Sequence, residues 1–262
     1  MFGIRAGPFL SQQASFFSSF DLGSFAFLAG SLISLFAFLL ITYFFKETCG
    51  QRSKQIVKIS IVKSFCKLKD LLVAKNLSRY MLAFFSFMLV YTTFFSHLPL
   101  YIENKKIVNT INNGYILALL VASLSLSTFI AGSFFSQRNN DKIIMFCSVI
   151  QVISLLLIPY ISNDLIINVG LFLVISITFG VIYITLVTVL SNKCSPDQQG
   201  KLMGCIASLS SLCWAFGAFL CGVTNQINTN LPILLGALIT LLSIITFYIR
   251  YSTFNKLTKE VQ

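Results

Sequence analysis

Seven runs of the sequence stay predominantly apolar for about the thickness of a lipid bilayer: residues 24–45, 80–101, 114–135, 143–161, 165–190, 202–224 and 231–249. A helix needs about 20 such residues to cross the hydrocarbon core. An eighth, weaker run covers 3–20, where Arg5, Gln12, Gln13 and several serines dilute it. Within lipid, backbone N–H and C=O groups must be satisfied inside a helix or around a closed barrel, and runs this long and continuous suit helices. The predicted fold is all-α, a polytopic membrane bundle of about eight transmembrane helices. Only 10% of the residues are charged, against roughly 25% in a soluble domain. Too few charges remain to clothe a water-facing surface, so the first partner is the lipid bilayer.

The net charge of +11 does not make a nucleic-acid binder, because that needs basic residues gathered on a soluble face. Here they fall between the apolar runs. Residues 46–79 hold nine, loops 136–142 and 191–201 hold two each, and Arg250, Lys256 and Lys259 follow the last run, which makes 16 of the 19. Opposite loops hold only Lys105 and Lys106, and Arg5 is the remaining one. Cytoplasmic loops collect Lys and Arg, so this side is expected to be cytoplasmic, with both termini inside a cell membrane of the bacterial inner-membrane kind. Cys49, Cys66 and Cys194 lie on that side. An impermeant thiol reagent applied to intact cells is expected to miss all three; efficient labelling of any would reverse the orientation.

The 46–79 segment has a pattern of its own. Ile61, Phe65, Leu68 and Leu72 share one helical face while Lys63, Lys67 and Asp70 take others. Such a basic amphipathic helix can lie on an anionic leaflet; a solvated linker fits the same residues. The seven cysteines contain no CxxC pair and sit mostly in apolar runs, so they read as small packing residues rather than metal ligands or disulfides. No cofactor or metal is expected. An intramembrane enzyme would need a nucleophile–base pair or metal ligands. The single His97, beside Pro99 near the outer end of its run, reads as interfacial, and none of the eight acidic residues lies clearly within a crossing.

Two glycine-containing stretches match each other. Ala6 to Gln12 reads AGPFLSQ and Phe216 to Gly222 reads FGAFLCG, and each is followed by one more crossing and a basic segment. Transporters are often built of two such halves. The helix holding Gly217 begins near Gly200, which leaves the helix holding Gly7 entered partway along. Gly3, Gly7, Pro8 and Gly217 are therefore candidate packing or gating positions, since glycine lets helices approach and glycine-proline lets them bend. A kink without transport meaning fits the same residues.

This pattern resembles the major facilitator superfamily, and its drug/proton antiporters of the tetracycline and multidrug efflux type look closest. Gly3-x3-Gly7-Pro8 is similar to the middle of their fifth-helix G-x8-G-x3-G-P-x2-G-G motif, with Ser11 and Gln12 in place of the closing glycines. Glu47-Thr48 resembles the end of a sixth helix, and Ser195 to Gly204 resembles the entry to an eleventh. The loop Gly132 to Lys142 keeps only the glycine and the polarity of G-x-L-x-D-R-x-G-R-R. On this resemblance residues 1–45 are a two-helix remnant of an N-terminal bundle, 46–79 a basic cytoplasmic linker, 80–250 a complete six-helix bundle and 251–262 a cytoplasmic tail. The implied function is efflux of a small amphipathic substrate by alternating access. The other reading is a truncated, non-transporting remnant, or a subunit completed by another chain that supplies the missing N-terminal half. In either case the chain alone is not expected to confer proton-coupled export.

Two stripes of small residues stand out. One is Gly204, Ser208, Ser211, Ala215, Ala218 and Gly222; the other is Gly114, Ala118, Ala122, Ser125 and Gly132. Close helix packing is the first reading and a substrate-lined cavity the second. Either way, a leucine at Ser211 or Ala215 is expected to disturb the bundle. Tyr91, Thr92, Gln151, Tyr183 and Trp214 are polar or aromatic groups at membrane depth. In the superfamily the seventh, eighth, tenth and eleventh helices line the path. The resemblance therefore favours Tyr91, Ser125, Tyr183, Ser208, Ser211 and Trp214 as cavity-lining residues over Gln151. Ser195-Pro196-Asp197-Gln198 reads as a capping box opening the next helix, with Ser195 as cap.

Overall fold

The computed structural model describes residues 22–44, 77–104, 110–134, 140–161, 165–195 and 198–259. Gly3, Gly7, Pro8, the weak run 3–20 and the amphipathic stretch 61–72 lie outside them. The described residues form seven α-helices and no strands: α1 (Leu22–Phe44), α2 (Ser78–Asn104), α3 (Thr110–Phe134), α4 (Asn140–Leu157, closed by a 3-10 turn Ile158–Tyr160), α5 (Leu165–Asn192), α6 (Gln199–Ile227) and α7 (Leu231–Lys259). Each expected strong crossing has its helix, usually longer by a few residues at one or both ends. The largest extension is in α7. No glycine or proline follows Gly236, nothing in the sequence stops the helix, and residues 251–259 of the expected tail are helical.

The start of α6 corrects the expected capping box. Its N-cap position is Gln198, and no side chain caps it. The Ser195 carbonyl instead accepts the Gln198 N–H at 2.9 Å. Ser195 thus meets the start of the helix through its backbone carbonyl.

Helix α2 is the centre of the bundle and packs against α3, α5, α6 and α7, while α3 packs on α5 and α4 on α5 and α7. Lipid tails are as apolar as leucine, so burial from water does not hold such helices together; close packing and hydrogen bonds do. The core has two apolar clusters. One gathers Tyr80, Met81, Phe84, Ile144, Ile182, Leu186 and Leu202. The other gathers Phe94, Leu98, Ile102, Leu120, Leu155, Phe172 and Ile233. At the depth where one gives way to the other, four helices bury polar side chains: Thr92 and Thr93 on α2, Ser148, Gln151 and Ser154 on α4, Ser176 and Thr178 on α5, Thr240 and Ser243 on α7. Several of these hydroxyls donate to a carbonyl one turn back on their own helix, as Thr178 does to Val174 and Thr240 to Gly236 at 2.8 Å. They are satisfied without a partner from another helix.

The seam between α2 and α6 depends on a glycine. A Cβ placed on Gly217 would sit 2.9 Å from the Thr93 backbone nitrogen and from Thr92 Cβ, and nearer still to Thr92 Oγ1. Only glycine leaves room for that approach. It lets Thr92 Oγ1 donate across the seam to the Cys213 carbonyl at 2.9 Å. Between α3 and α5, Gly180 plays the same part, facing Ser127 Oγ and the Leu124 carbonyl.

The small stripe of α6 is not on the packed face of the described bundle, which goes against close packing as its first reading. Gly204, Ser208, Ser211, Ala215, Ala218 and Gly222 are all exposed, and the packed face is Leu202, Cys205, Ile206, Cys213, Gly217, Cys221 and Thr224. Ala118, Ala122 and Gly132 on α3 are exposed as well. Both faces of α6 carry small residues, so the stripe alone did not reveal which face packs. Leucine at Ser211 therefore meets no described neighbour. Ser211→Leu is expected to change the stability of the purified protein by no more than about 0.5 kcal/mol, as at surface positions generally, which a melting curve checks. His97 lies near the C-terminal end of α2, by the connection between α6 and α7. It is 1% exposed, packed within the bundle against the backbone of Thr229.

Candidate functional site

A cavity of about 220 Å3 opens between α3 and α6 and is floored by α2 and α5. Helix α2 brings Met88 and Tyr91, three residues apart on one face. Helix α3 brings Leu124, Ser125 and Thr128, α5 brings Phe179 and Tyr183, and α6 brings Ser210 and Trp214. Met88 and Tyr91, Leu124 and Thr128, Phe179 and Tyr183, and Ser210 and Trp214 are three or four residues apart, which keeps each pair on one side of its helix.

The rings are not scattered. Tyr91 and Phe179 stack with centroids 3.8 Å apart and planes 5° from parallel. Phe179 meets Tyr183 at 6.1 Å, and Tyr183 meets Phe84 at 5.8 Å. On the other side Tyr91 meets Phe95 at 5.9 Å, and Phe95 meets the edge of Trp214 at 5.9 Å. A continuous run of six rings thus passes beneath the cavity and up one wall. Aromatic pairs in tilted or edge arrangements add about 0.5–1.5 kcal/mol each beyond their buried area, so this floor is stiff.

The hydroxyls are turned inward to their own helices. Ser125 donates to Val121 at 2.9 Å, Thr128 to Ser125 at 2.8 Å and Ser210 to Ile206 at 2.8 Å. Each oxygen keeps a lone pair for a ligand's donor. No charged side chain is among the described residues that line the cavity, and no group of three or more His, Cys, Asp or Glu able to hold a metal occurs among the described residues. Such a site can stack a flat or greasy molecule and accept a few hydrogen bonds.

Of the residues singled out from sequence, Tyr91, Ser125, Tyr183 and Trp214 come together on this cavity. Ser208 and Ser211 do not; both are exposed, with their hydroxyls bonded back to Gly204 and Ala207. Their neighbour Ser210 lines the cavity instead, because the packed positions Cys213 and Gly217 turn that side of α6 inward. Gln151 is fully buried away from it on α4. Sequence reasoning missed Phe179, Met88 and Leu124, which have no polar atom to mark them, and Thr128, whose position one turn from Ser125 was an available signal.

The sequence model of the Major Facilitator Superfamily matches residues 1–218. The chain belongs to this superfamily. No curated protein matches it at a significant level. Superfamily membership makes it a transporter by kind, and the match spans α1 to α5 and reaches through Trp214 on α6, so it includes every described residue on the cavity. Gly217, at the far edge of the match, sets how closely α6 lies against α2.

Proposed function

We propose that this major facilitator protein carries a small amphipathic, drug-like compound out of the cell by alternating access, with the cavity between α3 and α6 as the cargo site. The observation that carries this is the uncharged cavity, lined by Tyr91, Phe179, Tyr183 and Trp214 with a few hydroxyl acceptors. Mostly apolar walls with a few placed polar groups are the usual make-up of a small-molecule site. Alternating access needs a second bundle to rock against. The exposed small faces of α3 and α6, on either side of the cavity opening, are surfaces on which such a bundle would pack closely.

Those same exposed faces also favour a second reading, a subunit whose facing bundle comes from another polypeptide. Dye accumulation in cells deleted for their own pumps separates the two. On the first reading expression of this protein lowers accumulation of amphipathic dyes, with any dependence on a proton gradient read by adding an ionophore; on the second it leaves accumulation unchanged. Unchanged accumulation for the whole dye panel would contradict efflux by this chain and favour the subunit reading.

A further inference from the structure

A second cavity, of about 340 Å3, lies at the end of the bundle where α2 and α4 begin and α5 ends. The transport reading does not use it. Tyr80, Asp141, Lys142, Val189, Asn192 and Lys193 are among its walls. Asp141 is already engaged: the Tyr80 hydroxyl donates to its Oδ1 at 3.0 Å and Arg79 to its Oδ2 at 3.5 Å. Arg79 thereby offsets the one carboxylate. Lys193 Nζ sits 5.4 Å from the centroid of the Tyr80 ring. Among the described residues, neither Lys142 nor Lys193 has a carboxylate within ion-pair distance. Among the described residues the cavity thus carries two lysines without an ion-pair partner.

What lies below Lys142 says which anion fits. Phe146, Val149 and Ile153 follow it at intervals of four, three and four residues, which places all four on one face of α4. The three apolar residues are 68%, 46% and 52% exposed. A cationic cavity therefore continues directly into an exposed apolar track within the span, the same order of polarity as a phospholipid's headgroup and tail. A free phosphate would use only the first part.

We propose that this cavity binds an anionic phospholipid, with its phosphate between the Lys142 and Lys193 ammonium groups and an acyl chain along Phe146, Val149 and Ile153. A lysine close to an anionic lipid headgroup is worth about a five-fold gain in binding, so loss of both amounts to about 25-fold. Asp141 works against an anion, and its pairing with Arg79 and Tyr80 limits that opposition.

The test is native mass spectrometry of the full chain in detergent, titrated with phosphatidylglycerol, phosphatidylcholine or inorganic phosphate. Phosphatidylglycerol should be retained in preference to phosphatidylcholine. Lys142→Gln and Lys193→Gln should each weaken it about five-fold, and the double variant about 25-fold. Lys201→Gln, an exposed lysine on α6 outside the cavity, should change it less than two-fold. Equal retention of both lipids would overturn the proposal, as would an effect of Lys201→Gln as large as that of the double variant, which would mean diffuse surface charge. Displacement of the lipid by millimolar inorganic phosphate alone would show a site for the free ion and overturn it too.

Discussion

Gly217→Ala is expected to lower the stability of the purified protein by about 1–3 kcal/mol, the usual cost of forcing extra atoms into a packed core, and Gly217→Leu by more. The added Cβ would meet the Thr93 backbone nitrogen and Thr92 Cβ at 2.9 Å. Backbone cannot step aside as a flexible side chain can, so α6 must move off α2. That movement also stretches the Thr92 to Cys213 hydrogen bond, 2.9 Å long across the seam. Gly204→Ala and Gly222→Ala are the controls, because nothing lies within 4 Å of a Cβ at either position. In a helix alanine is favoured over glycine by about 0.5–1 kcal/mol, so these two variants should be neutral or slightly stabilised. Thermal melting of the three proteins side by side checks the contrast. Equal behaviour of all three would remove the argument for a close α2–α6 seam.

The second large effect is at the cavity. Ser125 is partly exposed on its α3 wall, and its hydroxyl serves only its own helix. Ser125→Phe places a ring in space that is open in the wild type. We expect ligand affinity to fall more than about ten-fold, equivalent to 1.4 kcal/mol, while the melting temperature stays the same or rises. Equilibrium dialysis with an amphipathic dye, alongside a melting curve, measures both. Unaltered affinity in a folded Ser125→Phe protein would place the cargo elsewhere.

The fold was legible because its cause is coarse. A run such as 165–190, with 26 residues and no charge, has one stable form in lipid, and α5 follows it to within two residues. The ends were harder. Ser195 to Gln198 has a capping-box pattern, yet Gln198 takes the N-cap position and meets the Ser195 backbone carbonyl, an outcome that a local pattern does not distinguish from a cap. The choice of face on α6 was harder again. Helical spacing puts Ser208, Ser211 and Ala215 on one side and Cys213, Gly217 and Cys221 on another, and both sides are small. Which side packs depends on Thr92 and Thr93 of α2, more than a hundred residues away. Tyr91, Ser125, Tyr183 and Trp214 were found through the superfamily resemblance rather than by periodicity, since the resemblance says which helices face the path. Phe179, stacked on Tyr91 at 3.8 Å, looks in the sequence like any lipid-facing phenylalanine.

Trp214 is the only tryptophan in the chain, and its ring lines the cavity with an edge against Phe95. All indole fluorescence of the protein therefore comes from the proposed cargo site. Titrating the detergent-purified protein with a flat amphipathic dye that absorbs near the tryptophan emission band is the most direct test of cargo binding between α3 and α6. Saturable quenching, lost in Ser125→Phe, is the predicted result. Quenching that rises linearly without saturation, and is the same in Ser125→Phe, would show dye partitioning into the detergent and contradict a cargo site in this cavity.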